Sequence, residues 1–402
     1  SYFSSLPCCR PGPRAARWLR LRHMIVVFWT GAPRIYMPPA TRYGRKKIYI
    51  SAAPCVLAGL AFLILKKYNN AIYFPAACRP FAGRGLFRKE APPMAGYIAG
   101  IGGANVDIHG QSDAPIVMRD SNPGRLHLSA GGVCRNICDN LCRLGLTVEL
   151  CSAVGGDAYG DMLRGACTAA GIGTRHLAVF PAQNTSAYIS IMDSEGDMLV
   201  AMSDMHILKE ALTPSYVEGL LPVLNGADVC VADANLSAGA LETLATRCTV
   251  PLMLDPVSTA WARNAAPLAG YFHTLKPNLM EMEVLSGIRI TNERELDAAC
   301  GMLLEKGVYQ VFVSLGREGL YFRRQGCGAL RKKSRPFPMK NATGAGDATM
   351  AGIVYAWVNG LSPGDTLDFA LGAGLAAIDS ADTINPAMSP ALVAKLVKEY
   401  VL

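Results

Sequence analysis

The sequence predicts an α/β protein with a mostly parallel central sheet, helices on both of its faces, and a small second sheet. From about residue 229 onward, short apolar segments typical of buried strands alternate with helical segments at regular spacing. Between residues 176 and 202, three segments alternate like antiparallel strands, which predicts the small sheet. Small-residue turns also follow several predicted strands directly, where sheets of this kind hold their ligands.

The first predicted strand covers residues 97–101 and runs into Gly102 and Gly103. Asn105 and Asp107 follow the strand, and their side chains can hydrogen-bond neighbouring hydroxyl groups of a ligand. They can equally cap an ordinary turn, and the sequence leaves both interpretations open.

Two glycines, Gly131 and Gly132, open the first predicted helix, which ends at Gly145. Its buried stripe has the helical spacing i, i+4, i+7 and consists of Ile137, Leu141 and Leu144. Asn136 lies one turn into this helix. Its side chain can therefore reach back toward a ligand held at the glycines.

The remaining elements follow in chain order. Strands are predicted at residues 150–154, 176–180, 185–192, 198–202, 229–232, 252–255, 273–275, 311–314 and 320–322. Helices are predicted at residues 159–170, 238–247, 259–268, 278–287, 293–306, 348–358, 365–379 and 390–400.

A run of small residues that ends in an acid, residues 341–347, precedes the first C-terminal helix. Gly344, Ala345 and Gly346 are small enough for backbone N–H groups to close around an oxyanion, and the helix dipole adds partial positive charge there. Asp347 beside that site can accept a proton from a substrate hydroxyl. Together these groups are what phosphoryl transfer to an alcohol requires. Taken alone, they also fit a Gly-rich turn whose Asp caps a helix.

Charge is distributed unevenly over the 402 residues. The first 95 residues carry 16 Lys and Arg and one acidic residue, whereas the remainder carries 23 basic and 30 acidic residues. The formal net charge of +8 therefore reflects the first quarter of the chain. The rest is mildly acidic, and we expect no nucleic-acid partner for it.

The 13 cysteines are too sparse for a disulfide scaffold, and this usage suits a reducing cytoplasm. Cys134, Cys138 and Cys142 have the helical spacing i, i+4, i+8, which on its own is compatible with a metal site. No His or Cys pair with ligand-like spacing accompanies them, so the sequence favours small buried thiols.

Residues 1–95 are rich in Arg and Pro and show no alternation of strands and helices. Three interpretations stay open: a membrane span over the apolar residues 48–65, an organelle transit peptide, or translated upstream sequence. We expect a disordered or non-native extension that is not part of the working protein. In this interpretation Met94 is the natural start and residues 96–402 form the functional domain.

Two motifs far apart in the chain together resemble a known family. The run Gly131-Gly132 with Asn136 at the start of a helix, and Thr343-Gly344-Ala345-Gly346-Asp347 downstream, resemble the two signatures of the PfkB, or ribokinase-like, carbohydrate and nucleoside kinases. The resemblance covers residues 96–402. It implies a ribokinase-like three-layer α/β/α sandwich, a small β-sheet lid formed by residues 113–128 and 176–202, and the use of ATP and Mg²⁺.

Further stretches resemble the bacterial pseudouridine kinases within this family. They are residues 120–124, 184–186, 231–235, 255–258, 273–278 and 341–343. The resemblance implies ATP-dependent phosphorylation of the 5′-hydroxyl of pseudouridine, with pseudouridine 5′-phosphate and ADP as products. A kinase for another nucleoside or sugar, such as uridine, cytidine, adenosine or ribose, is the alternative. A nucleoside-binding protein without catalysis and a membrane-anchored protein are further ones.

The resemblance also implies roles for individual residues. Asp347 is the expected general base, and the three residues before it are the expected anion hole. The residues expected to contact the substrate are Asn105, Asp107, Gly131, Gly132, Asn136, Thr185, Ser186 and Asn235. Those expected along ATP are Asn278, Ser314, Gly316, Gly319, Gly344 and Gly346. Glu281 is expected to organise Mg²⁺ and its waters.

Some of these residues also have simpler interpretations. Asn278 and Glu281 fit a helix capping box as well as a nucleotide site. The turn from Gly316 to Gly319 equally fits an ordinary hairpin.

Two positions depart from the family pattern. Many relatives carry Asp where this chain has Asn341, and that position contributes to a monovalent-cation site in some members, so activation by K⁺ stays open. A Lys is expected shortly after residues 255–258, where this chain has Trp261, which can stack on a base or simply pack.

The resemblance further implies a cytoplasmic homodimer formed through the lid, with a small-molecule substrate and ATP as partners and no membrane contact of the kinase domain.

Overall fold

A computed structural model describes residues 96–402 and, within the first 95 residues, three short strands. These are Arg20–Leu21 (β1), Met24–Val26 (β2) and Ile48–Tyr49 (β3), with β1 antiparallel and β3 parallel to β2. The chain divides into two compact units, Ser1–Ala82 and Gly83–Leu402. The predictions of a disordered extension, a membrane span, a transit peptide and a start at Met94 concern residues that otherwise lie outside the described part.

A nine-stranded sheet forms the centre of the second unit. In spatial order its strands are Cys327–Lys332 (β16), Leu320–Arg324 (β15), Gln310–Ser314 (β14), Thr274–Leu275 (β13), Leu252–Asp255 (β12), Val229–Asp233 (β11), Ile98–Ile101 (β4), Val148–Gly155 (β7) and Leu177–Phe180 (β8). Neighbours from β14 to β8 are parallel, and β15 and β16 are antiparallel additions at one edge. The predicted mostly parallel sheet is confirmed.

Helices cover both faces of this sheet. They are Val133–Arg143 (α1), Ala158–Ala169 (α2), His206–Ala211 (α3), Pro214–Asn225 (α4), Ala238–Arg247 (α5), Thr259–Ala265 (α6), Leu279–Ser286 (α7), Glu293–Lys306 (α8), Ala345–Val358 (α9), Pro363–Ile378 (α10) and Pro390–Tyr400 (α11). Alternate residues of β11 enter opposite cores: Cys230 packs with α3–α8, and Val231 packs with α1, α2 and α9–α11. This alternation produces the three layers, α/β/α.

A smaller sheet of four strands stands beside the main one. Its strands are Asn105–Ser112 (β5), Gly124–Gly131 (β6), Ala187–Met192 (β9) and Met198–Asp204 (β10), in the order β10-β9-β5-β6. The pair β5–β9 is parallel, and the two outer pairs are antiparallel. The strands predicted at residues 185–192 and 198–202 are thereby confirmed as members of this sheet.

The third predicted member of the small sheet is wrong. The segment at residues 176–180 instead forms β8, which pairs in parallel with β7 at the edge of the main sheet. The reason is the helix α2 between them, because a strand that follows a crossover helix returns parallel to the strand before it.

Several other boundaries differ from the prediction. Asn105 and Asp107 lie in the strand β5 and not in a turn. The helix α6 ends at Ala265 and continues as the 3₁₀ helix Ala266–Tyr271, because Pro267 has no backbone N–H with which to continue a regular helix. The helices α3 and α4 and the strands β6 and β16 were not predicted. None of the helices in residues 96–402 is long and apolar enough to cross a membrane.

Candidate active site

Several of the predicted site residues lie at the carboxyl ends of parallel strands, where an α/β sheet of this type places its ligands. Gly102 follows β4, Asn235 follows β11, and Asn278 follows β13. Asn278 and Ser314 form an isolated parallel β-bridge, and the backbone N–H of Ser314 donates to the carbonyl of Pro277 at 2.9 Å. The N-termini of α1 and α9 close the same edge of the sheet.

Asp347 lies in the first turn of α9 and is buried. Its Oδ2 accepts a hydrogen bond from Nδ2 of Asn136 at 2.8 Å. Burial raises the pKa of Asp347 to about 7, and the nearby carboxylate of Asp255 acts in the same direction. The bond from Asn136 and the charge of Lys276 oppose this rise. A carboxyl group with such a pKa exchanges protons near neutral pH, as a general base must.

The helix α9 begins without a side-chain cap. Its N-cap is Gly344, which has φ of 82°, and a Cβ there would lie 2.2 Å from the backbone oxygen of Thr383. Glycine is therefore required at this position by both conformation and space. The first backbone N–H groups of α9 have no partner within the helix, and together with the helix dipole they favour an anion.

Lys276 was missed by the sequence reading, although it is central to the site. It is buried, and its Nζ lies 3.1 Å from Oδ2 of the equally buried Asp255. A Cβ on Gly346 would lie 3.4 Å from the same Nζ, so the ammonium group reaches the start of α9. Burial lowers the pKa of Lys276, but the charges of Asp255 and Glu281 outweigh it and the net pKa is raised. The side chain therefore stays charged.

The side chains of Asn105 and Asp107 point to the same face of β5. Asn105 Nδ2 donates to Oδ1 of Asp107 at 2.6 Å. Burial raises the pKa of Asp107, against the lowering effect of that hydrogen bond. A Cβ on Gly131 would lie 2.2 Å from Oδ2 of Asp107, and one on Gly132 would lie 2.5 Å from the carbonyl oxygen of Gly103. Gly131 thus allows β6 to approach this polar pair closely, and Gly132 allows the start of α1 to approach the turn after β4.

Asp233 serves the site as a structural anchor. Its Oδ2 accepts hydrogen bonds from the backbone N–H groups of Gly103, at 2.8 Å, and Cys134, at 2.9 Å, and its Oδ1 accepts one from Asn235, at 3.0 Å. A Cβ on Gly102 would lie 2.6 Å from this carboxylate. One carboxylate therefore holds the end of β4 against the start of α1.

Three further predicted substrate residues, Thr185, Ser186 and Asn235, are buried near these groups. Thr185 has a structural task, since its Oγ1 donates to Asp157 and accepts from the backbone N–H of Gly155. Asn235 lies close to the glycine turn, where a Cβ on Gly103 would be 3.1 Å from its Nδ2. Ser186 differs, because its buried Oγ has no hydrogen-bond partner in the described part of the chain. A buried hydroxyl of this kind is suited to a ligand.

Asn278 and Glu281 form a complete capping box at the start of α7. Asn278 Oδ1 accepts from the backbone N–H of Glu281 at 2.9 Å, and both carboxylate oxygens of Glu281 accept from Asn278. Burial raises the pKa of Glu281. The simpler interpretation of the pair as a helix cap is thus confirmed as part of its role.

The turn between β14 and β15 contains the two glycines predicted along the nucleotide. Gly316 and Gly319 have φ of 59° and 88°. A Cβ on Gly319 would lie 2.0 Å from the carbonyl oxygen of Lys332, so the turn is packed against β16. The turn lies at the same sheet edge as Ser314.

The two departures from the family pattern have local explanations. Asn341 Nδ2 donates to the carbonyl of Ala381 at 3.0 Å, and its Oδ1 accepts from the backbone N–H of Thr343 at 2.9 Å, which fixes the loop before α9. Trp261 is half-buried in α6, and the ammonium group of Lys209 stands 5.1 Å from its ring centroid. The cation comes from α3, an element that the sequence reading did not predict.

No group of three or more His, Cys, Asp or Glu residues capable of holding a metal ion occurs among the described residues. Of the cysteines on α1, Cys134 and Cys138 are buried, as predicted, and Cys142 is half-buried. A Cβ on Gly100 would lie 2.4 Å from Sγ of Cys138 and 3.2 Å from Sγ of Cys134. Burial raises the pKa of Cys142 to about 12, which keeps this thiol protonated.

Comparison with known proteins decides the family. The model of the pfkB family of carbohydrate kinases matches residues 96–390. The chain belongs to the PfkB family. Members of this family transfer a phosphoryl group to an alcohol, and the buried Asp347 beside a helix N-terminus fits that chemistry. The predicted resemblance and the ribokinase-like fold are confirmed.

Individual PfkB relatives cover most of the chain. It is 36% identical to the pseudouridine kinase of Escherichia coli K12 over 307 residues, which span 75% of this chain and 96% of the relative. It is 35% identical to an uncharacterized sugar kinase of the same organism over 294 residues, 73% of this chain and 81% of the relative. The crystal structure of a protein from Clostridium perfringens, described as a sugar kinase, matches with a TM-score of 0.69 and 30% identity, covering 78% of this chain and 98% of that one.

Proposed function

We propose that this chain phosphorylates the 5′-hydroxyl of pseudouridine with ATP, giving pseudouridine 5′-phosphate and ADP. The observation that carries the proposal is the placement of Asp347, a buried carboxylate with a pKa near 7, beside both a helix N-terminus and the ammonium group of Lys276. The identity to a pseudouridine kinase supports the choice of substrate.

Asp347 acts as the general base. Asn136 occupies its Oδ2, so Oδ1 is the oxygen that takes the proton of the substrate hydroxyl. Burial disfavours the charged form of Asp347, and the carboxylate therefore gains stability when it accepts the proton. Proton transfer in this direction makes the substrate oxygen a better nucleophile as it attacks the phosphoryl group.

The transferred phosphoryl group binds at the N-terminus of α9. The backbone N–H groups of Gly344, Ala345 and Gly346 and the helix dipole stabilise its charge. Lys276 adds a full positive charge next to the start of α9. Its pairing with Asp255 holds the ammonium group in one position before ATP binds, so no reorganisation is needed at the moment of transfer.

ATP would be bound at this site as its Mg²⁺ complex. The described residues offer no cage of ligands, and Mg²⁺ does not need one because it keeps several waters and takes one or two carboxylates. Glu281 is the residue that would hold it: its buried carboxylate lies near the carboxylate of Asp255, and each of its oxygens keeps a free lone pair beside the bond from Asn278. When bound, Mg²⁺ neutralises phosphate charge.

The remaining contacts follow from position along the sheet edge. We assign the ribose to Asn105, Asp107, Gly131, Gly132 and Asn136, with Ser186 and Asn235 as further contacts to the nucleoside. We assign ATP to Asn278, Ser314, Gly316 and Gly319, and its terminal phosphate to the start of α9. The unpartnered hydroxyl of Ser186 is the observation that favours an additional substrate contact. Activation by K⁺ stays a prediction, since Asn341 has no charge.

A second candidate is a PfkB kinase for another nucleoside or sugar. One observation favours it: at the position where a Lys is expected, Trp261 presents an aromatic ring and Lys209 supplies the cation from a different element. A nucleobase that contacts Trp261 and Lys209 would meet its cation at a different position from one that contacts a Lys on α6. The similarity to an uncharacterized sugar kinase keeps this candidate open.

We further propose a homodimer through the small sheet, which then acts as a lid, in a cytoplasmic enzyme. The strand pairing places Leu126, Ile191 and Val200 in one row across β6, β9 and β10, and Leu128, Ile189 and Met202 in the next. Five of these six side chains are exposed, and a second copy of the same sheet covers such a face. The nine cysteines after residue 95 are free, which suits a reducing compartment.

The test is turnover measured side by side. ADP release is followed with Mg-ATP and each of pseudouridine, uridine, cytidine, adenosine and ribose, with Asp347→Asn as the control for contaminating kinases. The proposal predicts the highest kcat/KM for pseudouridine. A higher value for any other acceptor moves the substrate and keeps the mechanism. Binding of nucleoside without ADP release from any acceptor contradicts both and supports a binding protein.

A further inference from the structure

The amide of Asn136 lies between Asp347 and a second charged side chain, Arg135. The guanidinium group of Arg135 donates to Oδ1 of Asn136, while Nδ2 of Asn136 donates to Oδ2 of Asp347 at 2.8 Å. A guanidinium group can only donate hydrogen bonds. It therefore fixes which end of the amide faces it, and the NH₂ group is left to face Asp347.

Arg135 is itself held from several sides. It is 2% exposed, and it donates to the carbonyls of Gly131, at 3.1 Å, and Ala130, at 2.9 Å. Its Nη1 also donates to Oδ2 of Asp139 at 3.1 Å, and Oδ1 of Asp139 accepts from Nε of Arg143 at 2.7 Å. The planar guanidinium group thus has donors directed at four fixed acceptors, and it cannot rotate away from Asn136 without breaking several bonds.

We propose that Arg135 is a positioning residue for phosphoryl transfer, which keeps the NH₂ group of Asn136 on one oxygen of Asp347 and leaves the other oxygen free for the substrate hydroxyl. The kinetic part of this inference rests on the proposed function. Arg135 acts through Asn136 and donates no bond to Asp347 among the contacts described above.

Loss of Arg135 frees the amide to rotate by half a turn. Oδ1 of Asn136 then faces Oδ2 of Asp347, and two acceptors in contact favour the protonated acid. The other charged groups around Asp347 come from the strands: Asp233 ends β11, Asp255 ends β12 and Lys276 directly follows β13. Variants on α1 leave all three in place, so a change in the titration of Asp347 reports on the amide and on the charge of Arg135.

The test compares the pH dependence of kcat in three variants. Arg135→Met removes every donor at nearly constant length, and we expect the acid limb of the profile to move up by about one pH unit. Arg135→Lys keeps the charge but has one nitrogen for four acceptors, and we expect a smaller shift in the same direction. Arg143→Met is the matched control: it removes the outer bond to Asp139 without touching Asn136, and its limb stays at the wild-type position.

A second readout needs no turnover. The pKa of Asp347 in the folded protein, about 7, lies above the ordinary Asp value of about 3.9. At this group the folded state therefore binds more protons than the unfolded state. The contribution of Asp347 to the free energy of unfolding falls as pH rises between these two values and is constant above them. Asp347→Asn removes this fall. In Arg135→Met the fall continues beyond pH 7, whereas Arg143→Met follows the wild type.

The outcomes separate the inference from the proposed function. A wild-type protein that phosphorylates no acceptor contradicts the proposed function, and the stability comparison still tests Arg135. A wild-type acid limb in Arg135→Met overturns the inference, and so does an equal shift in Arg143→Met. If Arg135→Met does not fold, Arg135→Lys is the deciding variant. An unshifted acid limb in that variant overturns the inference, because it means that the charge of Arg135 alone matters.

Discussion

At the scale of single residues, the proposed chemistry depends mainly on two buried charges of opposite sign, Asp347 and Lys276. Burial alone pushes both toward their neutral forms. Lys276 stays charged because its Nζ lies 3.1 Å from Oδ2 of Asp255, and the charge of that carboxylate raises the pKa of Lys276. For Asp347, the hydrogen bond from Asn136 and the charge of Lys276 offset only part of the effect of burial, so its pKa is raised to about 7. The same carboxylate can therefore be ionised before reaction and take up a proton during it.

Replacing Asp347 with Asn removes the base and keeps the shape. We expect kcat to fall about a thousandfold, which corresponds to roughly 4 kcal/mol in the barrier, while nucleoside affinity stays near the wild-type value. In the wild type, kcat should rise with pH through about 7, because the base must be ionised. Steady-state kinetics and calorimetric binding measure the two quantities. A variant with near wild-type kcat contradicts the assignment of the base.

Replacing Lys276 with Met leaves Asp255 as an uncompensated buried carboxylate. We expect a loss of roughly 3–5 kcal/mol in the free energy of unfolding, typical of a broken buried pair. The double variant Lys276→Met with Asp255→Asn removes both charges and should recover most of that stability. It should not recover kcat, because the positive charge at the phosphoryl site is still missing. Recovery of both stability and kcat limits Lys276 to a structural role.

At the scale of elements, the end of β6 meets the polar pair on β5 through a glycine, Gly131. Gly131→Ala places a methyl group against Oδ2 of Asp107, at a distance that no neighbour can accept without moving. We expect KM for the nucleoside to rise at least tenfold, a difference of about 1.4 kcal/mol, with a smaller change in KM for ATP. The measurement is initial-rate kinetics with each substrate varied in turn.

Gly165→Ala serves as the control for this substitution. Gly165 is exposed on α2, and nothing lies within 4 Å of an added Cβ. The change should stabilise the helix by up to about 1 kcal/mol and leave both KM values unchanged. Equal KM values in Gly131→Ala and the wild type contradict the placement of the ribose at Asp107.

Elements with clear end signals were predictable from the sequence. Asn278 and Gly287 bracket α7, and Asn292 begins α8 by accepting a bond from the backbone N–H of Glu295. The strand β5 was not predictable as a strand, since both its polar side chains and its glycine argue for a turn. The helix α4 was hidden for a similar reason, because Gly219 and Pro222 interrupt its pattern.

The predicted site shows the same division. Asp347, the glycines and the capping box were visible because each belongs to a local motif with fixed spacing. The charged groups that shift the pKa of Asp347 were not visible, because Lys276 and Asp255 act on it through space from other elements. Burial of Lys276 next to two acids cannot be read from its immediate neighbours in the chain, Leu275 and Pro277.

At the scale of the molecule, the order of the nine strands depends on the crossover rules and on the edge of the sheet at which each strand pairs, as β8 demonstrates.

The proposed dimer is a property of the whole molecule. Val200→Lys puts a charge into the exposed apolar rows of the small sheet, and we expect it to convert a dimer into a monomer. Val179→Lys is the matched control, because Val179 is also an exposed valine but lies on β8 of the main sheet. Sedimentation equilibrium measures the mass of each variant. A wild type that is monomeric, or a dimer that survives Val200→Lys, contradicts the proposed interface.

The most direct test of the central claim is the position of the transferred phosphate. The chain is incubated with Mg-ATP and pseudouridine, and a ³¹P–¹H correlation spectrum of the product identifies the oxygen that carries the phosphate. We predict phosphate on the 5′-oxygen alone, and about a thousandfold slower formation of this product with Asp347→Asn under the same conditions. Phosphate on another hydroxyl, or the same product formed at an equal rate by Asp347→Asn, contradicts the assignment of Asp347 as the base for the 5′-hydroxyl.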